Sequence, residues 1–150
     1  MQIHPEENTI AAINKLKKSY PYAASLLVYV VIERQLKLYL LGHRNEKNNF
    51  KNYCCQSDDE FIKNCLTNLT LGKLEKKLKI KCEAATDRNN LMHSNLYLSG
   101  DKDLSDPERQ NKNVKHFETA KTHLIRVFRD YCSIPIEEKE GLLVFKTRQF

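Results

Sequence analysis

The chain has 150 residues, a formal net charge of +6, 41% hydrophobic and 29% charged residues, and only four glycines and four prolines. That is the length of one domain with enough apolar side chains for a buried core, and it holds too few turn-forming residues for an all-β fold. The positive balance favours polyanionic partners without requiring one.

The opening Met1-Gln2-Ile3-His4-Pro5-Glu6-Glu7 has no positive segment followed by an apolar one, so no signal peptide is expected. A first helix is predicted from about Pro5 to Ser19, with Ile10, Ile13 and Leu16 on its inner face, ended by Tyr20-Pro21. The second, about Tyr22 to Leu41, is the most apolar stretch and is expected to be the central helix, with Gly42 as its stop. Glu33, Arg34, Gln35 and Lys37 interrupt it, which suits a buried helix of a bundle and not a membrane span. The protein is therefore expected in the cytoplasm, away from membrane.

Residues 43–57 are polar, Asn-rich and without period, and read as a loop. Ser57 and Glu60 have capping-box spacing and open a third helix to about Asn68. Thr70-Leu71-Gly72 introduces a short helix to about Lys79, apolar at Leu71, Leu74 and Leu78 and basic at Lys73, Lys76, Lys77 and Lys79. A helix over 80–98 follows, stopped by Ser99-Gly100-Asp101. Asp106-Pro107-Glu108 starts the last one, and Val114, Phe117, Ala120, Leu124, Val127, Phe128 and Tyr131 carry its period to about Cys132. Together these give an all-α, up-and-down bundle of about five helices over residues 1–133. In the extension, 134–150, Leu142 to Phe145 is a short apolar run that reads equally as a strand, a docking arm or a partner-binding tail.

The five cysteines are Cys54, Cys55, Cys65, Cys82 and Cys132. An odd number with no C-x-x-C spacing reads as free thiols or small hydrophobes, not as disulfides or a zinc site. No metal and no cofactor is expected. His116 and His123 are seven apart, hence near one helical face, and His4 and His43 fall near element ends; none of the four is given a catalytic role.

The most informative stretch is Asp87-Arg88-Asn89-Asn90-Leu91-Met92-His93-Ser94. On a helical wheel, Ile80, Ala84, Ala85, Leu91, Met92, Leu96 and Leu98 make one broad face with Arg88 in its middle. A guanidinium there costs several kcal/mol unless it is paired or faces a wet cleft; Glu33 is a candidate partner. Arg88 and His93 lie roughly 140° apart around the helix, whereas Asn89 and His93 share one edge. Two copies facing across a twofold axis would line one cleft with two arginines and two histidines.

Arg88, Asn89 and His93, on a late helix of a small bundle, resemble the signature of the HEPN domain family: an arginine, often followed by Asn, Asp or His, and a histidine separated from the arginine by four to six residues, here four. The apolar second helix, through Ile32-Glu33-Arg34-Gln35-Leu36-Lys37, and Thr70-Leu71-Gly72-Lys73-Leu74 add to the likeness, which covers roughly residues 8–132. The resemblance implies a metal-independent endoribonuclease working as a homodimer, in phage defence or as a growth-arresting toxin. RNA supplies its own 2′-OH nucleophile. In that reading His93 transfers protons near neutral pH, Arg88 clamps and stabilises the phosphate, and Asn89 orients His93 or bonds a phosphate oxygen. Lys73, Lys76, Lys77 and Lys81 would contact the RNA backbone, although a solvated helix face is the commoner meaning of such a run. Family toxins with a minimal nucleotidyltransferase antitoxin carry a tyrosine two residues after the histidine; here that position is Asn95, and Tyr97 is the nearest tyrosine. Silencing by that chemistry is therefore not expected, which points to a stand-alone branch or to an antitoxin or regulatory protein that binds tightly. A non-catalytic module that binds RNA or nucleotide, or scaffolds a partner, is the competing reading, and an unrelated bundle the third.

Overall fold

A computed structural model describes residues 4–42, 67–81, 83–96, 103–132 and 134–146. These residues form five helices and one small sheet: α1 (Glu7–Leu16), α2 (Pro21–Gly42), α3 (Leu71–Leu78), α4 (Ala84–Leu96), α5 (Pro107–Tyr131), β1 (Ile136–Lys139) and β2 (Leu142–Phe145). The loop expected over 43–57, the helix expected from Ser57, His43, Tyr97, the stop at Ser99-Gly100-Asp101 and four of the cysteines, Cys54, Cys55, Cys65 and Cys82, lie outside the described residues.

The mostly helical architecture follows from where the apolar residues recur. In α1, Ile10 and Ile13 are buried; in α2, Val28, Ile32, Leu36 and Leu40; in α5, Phe117, Leu124 and Phe128. α2 is central as its composition predicts, touching α1, α3, α4 and α5, with α5 its largest partner. α2 and α5 run in the same direction: Ser19, just before α2, accepts from Gln110, while Gln35 meets Cys132 and Tyr39 packs edge-on against Tyr131. Both ends of α5 fall where expected. The Asp106 carboxylate accepts from the Arg109 N–H, Pro107 occupies the first turn, and Cys132 leaves the helix extended.

Val114 is a correction. It is exposed, and its neighbour Asn113 is buried instead, because a polar partner on α4 meets Asn113. No helix among the described residues is long and apolar enough to cross a membrane.

Of the three forms open to the Leu142–Phe145 run, a strand is what forms. It pairs antiparallel with β1, Ile136 opposite Phe145 and Lys139 opposite Leu142. Glu140 and Gly141 both have positive φ, the twist that a two-residue hairpin turn requires. The hairpin packs on α1 and α5: the Asn14 carboxamide bonds both the N–H and the C=O of Leu143, and the His4 ring stacks 4.6 Å from Phe145 and meets Phe128 tilted at 5.4 Å.

Candidate functional site

The site is built at the start of α4, and α3 sets it up. Thr70 caps α3, its hydroxyl accepting from the Lys73 N–H. Lys79, in the left-handed region at φ 54°, ends the helix and lets the Ile80 N–H return to the Glu75 carbonyl. The Glu75 side chain then reaches forward. Its two carboxylate oxygens accept from the Ala84 and Ala85 N–H groups at 3.2 and 3.0 Å, so a residue of one helix caps the N-terminus of the next. Burial pushes the Glu75 carboxyl above its usual range, while the two backbone donors and the charges of His123 and Arg88 pull it back.

From that fixed start, consecutive residues reach different helices. Asp87 points to α5, its Oδ2 lying 2.6 Å from His123 Nε2. Arg88 points to α2, with Nη1 3.6 Å from Glu33 Oε1; the two side chains are 25% and 30% exposed. Glu33 also holds Lys37 at 3.2 Å. The arginine that looks misplaced on the wheel thus has the partner its position demands, in a pair that solvent still reaches.

Farther along α4, Ser94 lies 3.1 Å from His116 Nε2, and Asn95 exchanges two amide hydrogen bonds with Asn113. Asp87–His123, Ser94–His116 and Asn95–Asn113 form a ladder in which α4 and α5 run antiparallel. Burial pushes His116 below its ordinary value, with Arg109 adding to this and Asp87 opposing it. His116 and His123 do share a face, as their spacing predicts, but that face serves helix packing. Among the described residues no three His, Cys, Asp or Glu side chains are placed to share a metal ion.

The broad apolar face expected on this helix is narrower in fact. Ala84, Leu91 and Asn95 are the buried residues of α4, whereas Met92 is 46% and Leu96 63% exposed. The wheel overlooks that α5 accepts polar partners along its seam, which rotates the buried line toward Asn95 and turns Met92 and Leu96 out. Leu98 lies outside the described residues.

Asn89 and His93 are both exposed, one turn apart on the open edge of α4, with Met92 and Leu96 beside them. Neither polar side chain makes a hydrogen bond or ion pair among the described residues. Arg88 sits on the flank of that edge, not on it. Lys73, Lys76 and Lys81 are exposed and Lys77 is half-buried. Sequence reasoning missed Glu75, Asp87 and Asn113. A cap nine residues upstream, and acid or amide partners a helix away, leave no local pattern. The seven-residue spacing of His116 and His123 is the one signal pointing to the ladder.

No protein-family model, curated protein or solved structure matches the chain.

Proposed function

We propose that the chain is a metal-independent endoribonuclease of HEPN type, with Arg88, Asn89 and His93 of two copies forming one composite site. One observation carries the reading. A single helix, capped and tied on two sides, carries on its open edge an imidazole and a carboxamide with no hydrogen bond or ion pair among the described residues, and a partly exposed guanidinium on the flank. The exposed Met92 and Leu96 on the same edge suit the approach of a second copy.

The chemistry asks little of the protein. One His93 accepts the proton of the 2′-OH as that oxygen attacks phosphorus, and a second His93 gives a proton to the departing 5′-oxygen. Arg88 stabilises the charge developing on the non-bridging oxygens, exchanging Glu33 for phosphate. The products are a 2′,3′-cyclic phosphate and a 5′-hydroxyl end. In the cell such cleavage would arrest growth, as a toxin or in phage defence.

The test is cleavage of a labelled RNA by the purified protein in the presence of a chelator, with the ends of the products identified. His93→Ala is expected to lower the rate by about 10²- to 10⁴-fold, and Arg88→Ala to abolish detectable cleavage. The Arg88–Glu33 pair is worth at most about 1 kcal/mol at this exposure, so both variants should fold. An inactive wild type, or a His93→Ala variant as active as wild type, overturns the reading.

The Glu33–Arg88 pair favours a second reading. A guanidinium already neutralised by a carboxylate fits a module that binds RNA or scaffolds a partner without cutting. Tight RNA binding with no cleavage by wild type would select it.

A further inference from the structure

Nine residues, Lys73 to Lys81, carry five lysines and one acid. The acid, Glu75, is turned inward onto the amides of α4, so the segment shows no carboxylate to solvent. Lys73, Lys76, Lys79 and Lys81 are exposed, and none of them is in an ion pair among the described residues. The apolar residues Leu71 and Leu74 are buried beneath, and no large hydrophobic residue of α3 is exposed. A basic surface with nothing apolar to insert suits a polyanion in water better than a bilayer.

Its position relative to α4 follows from one contact. A Cβ placed on Gly72 would stand 3.7 Å from the Cβ of Ala85, so this side of α3 faces Ala85. Lys76 lies one turn after Gly72, on the edge of α3 next to α4. On α4, Ala85 begins the stripe that continues through Asn89, Met92 and Leu96 at helical spacing. The basic face therefore runs into the open edge that carries Asn89 and His93.

We propose that the Lys73–Lys81 face is a binding track for the phosphate backbone of single-stranded RNA, which it leads along α4 toward His93. A single strand is specified because in-line attack by a 2′-OH is out of reach of a nucleotide held in an A-form duplex. Where the strand leads rests on the ribonuclease reading; the phosphate contacts do not.

The test measures binding of a fluorescein-labelled, unstructured 20-nucleotide RNA to the His93→Ala protein by anisotropy between 0.05 and 0.2 M salt. Replacing Lys73, Lys76 and Lys81 together by Gln should lower the slope of log K against log salt by about 2, at roughly 0.7 per phosphate contact, and weaken binding about tenfold or more at 0.1 M. Arginine at the same three positions should restore both. A second triple, Lys18→Gln, Lys115→Gln and Lys139→Gln, carries the same net charge and should bind nearly as wild type. The track is overturned if the His93→Ala parent does not bind, if both glutamine triples weaken binding equally, or if the first leaves it unchanged. Binding to phosphatidylserine vesicles in place of RNA also overturns it. Cleavage is scored separately on protein with His93 intact, so either idea can fail while the other stands.

Discussion

Asn95 and Asn113 hold each other across the α4–α5 seam, each amide donating to the other's carbonyl at 2.8 and 2.9 Å, both side chains buried. Asn95 also donates to the Leu91 carbonyl, so both of its polar atoms have partners. The position two residues after His93 is thereby part of the helix packing, on the side of α4 away from its open edge.

Asn95→Ala is expected to cost about 2–3 kcal/mol in urea denaturation, because it strands the Asn113 amide in a dry site. Adding Asn113→Ala should cost less than a second increment of that size, giving a coupling of at least about 1 kcal/mol. Asn95→Tyr should destabilise by about 3 kcal/mol through overpacking, and it should not create an accessible tyrosine. Additive single effects would show that the two amides act independently.

Glu75 caps α4 from α3, so its loss should be felt at the site without any change to Arg88 or His93. Glu75→Ala is expected to lower stability by about 2 kcal/mol, the loss of a charged cap at a helix N-terminus. Hydrogen exchange should rise first at the amides of residues 84–87. Glu75→Gln, which keeps one acceptor, should fall between the two. Unchanged exchange in that turn would mean that the cap contributes nothing to helix position.

Two histidines set a pH dependence. His4 and His116 are both pushed below their ordinary value by burial, which outweighs Glu6 and Glu7 near His4 and Asp87 near His116. A histidine lowered on folding contributes stability that is fully present above its unfolded value, about 6.5, and is lost as pH falls from there toward its folded value. The protein should therefore melt at a lower temperature at pH 5.5 than at pH 7.5. Glu75, raised by burial, works in the opposite sense, so the informative quantity is the difference between variants. His116→Gln can keep the bond to Ser94 but cannot titrate, and it should shrink the drop. A drop of full size in that variant would remove His116 from the account.

Much of this fold is legible in local sequence because its signals are local. Thr70 before a basic amphipathic turn and Asp106-Pro107 before a long apolar period each act within a few residues, and the helices start where they put them. Tyr20-Pro21 does separate α1 from α2, but α1 ends at Leu16, three residues before the expected Ser19, and Pro21 opens α2. The apolar run Leu142–Phe145 is visible in the sequence, but its form as a strand is not separable there from an arm or tail and is decided by pairing. Its partner Ile136–Lys139 is not legible, since three of those four residues are charged and become a strand only through pairing. At the site the wheel leaves Arg88 either paired or facing a wet cleft, and the structure gives it a partly exposed pair with Glu33; Asn89 and His93 do lie on one edge. The wheel fails at Met92, Leu96, Asn95 and Asn113, where burial is decided by what the facing helix offers and not by each residue's own polarity.

The contact between Asn14 and Leu143 has a consequence for how copies of the chain can meet. A two-stranded ribbon has unpaired peptide groups along its outer sides and invites another strand to add there. At Leu143 the outward N–H and C=O are already taken by a side chain that imitates a peptide, and along β1 the invitation is refused by Glu137, Glu138 and Lys139. Edge-to-edge pairing of two such ribbons is thus disfavoured on both sides, by a side chain that occupies the peptide groups of Leu143 and by charge along β1.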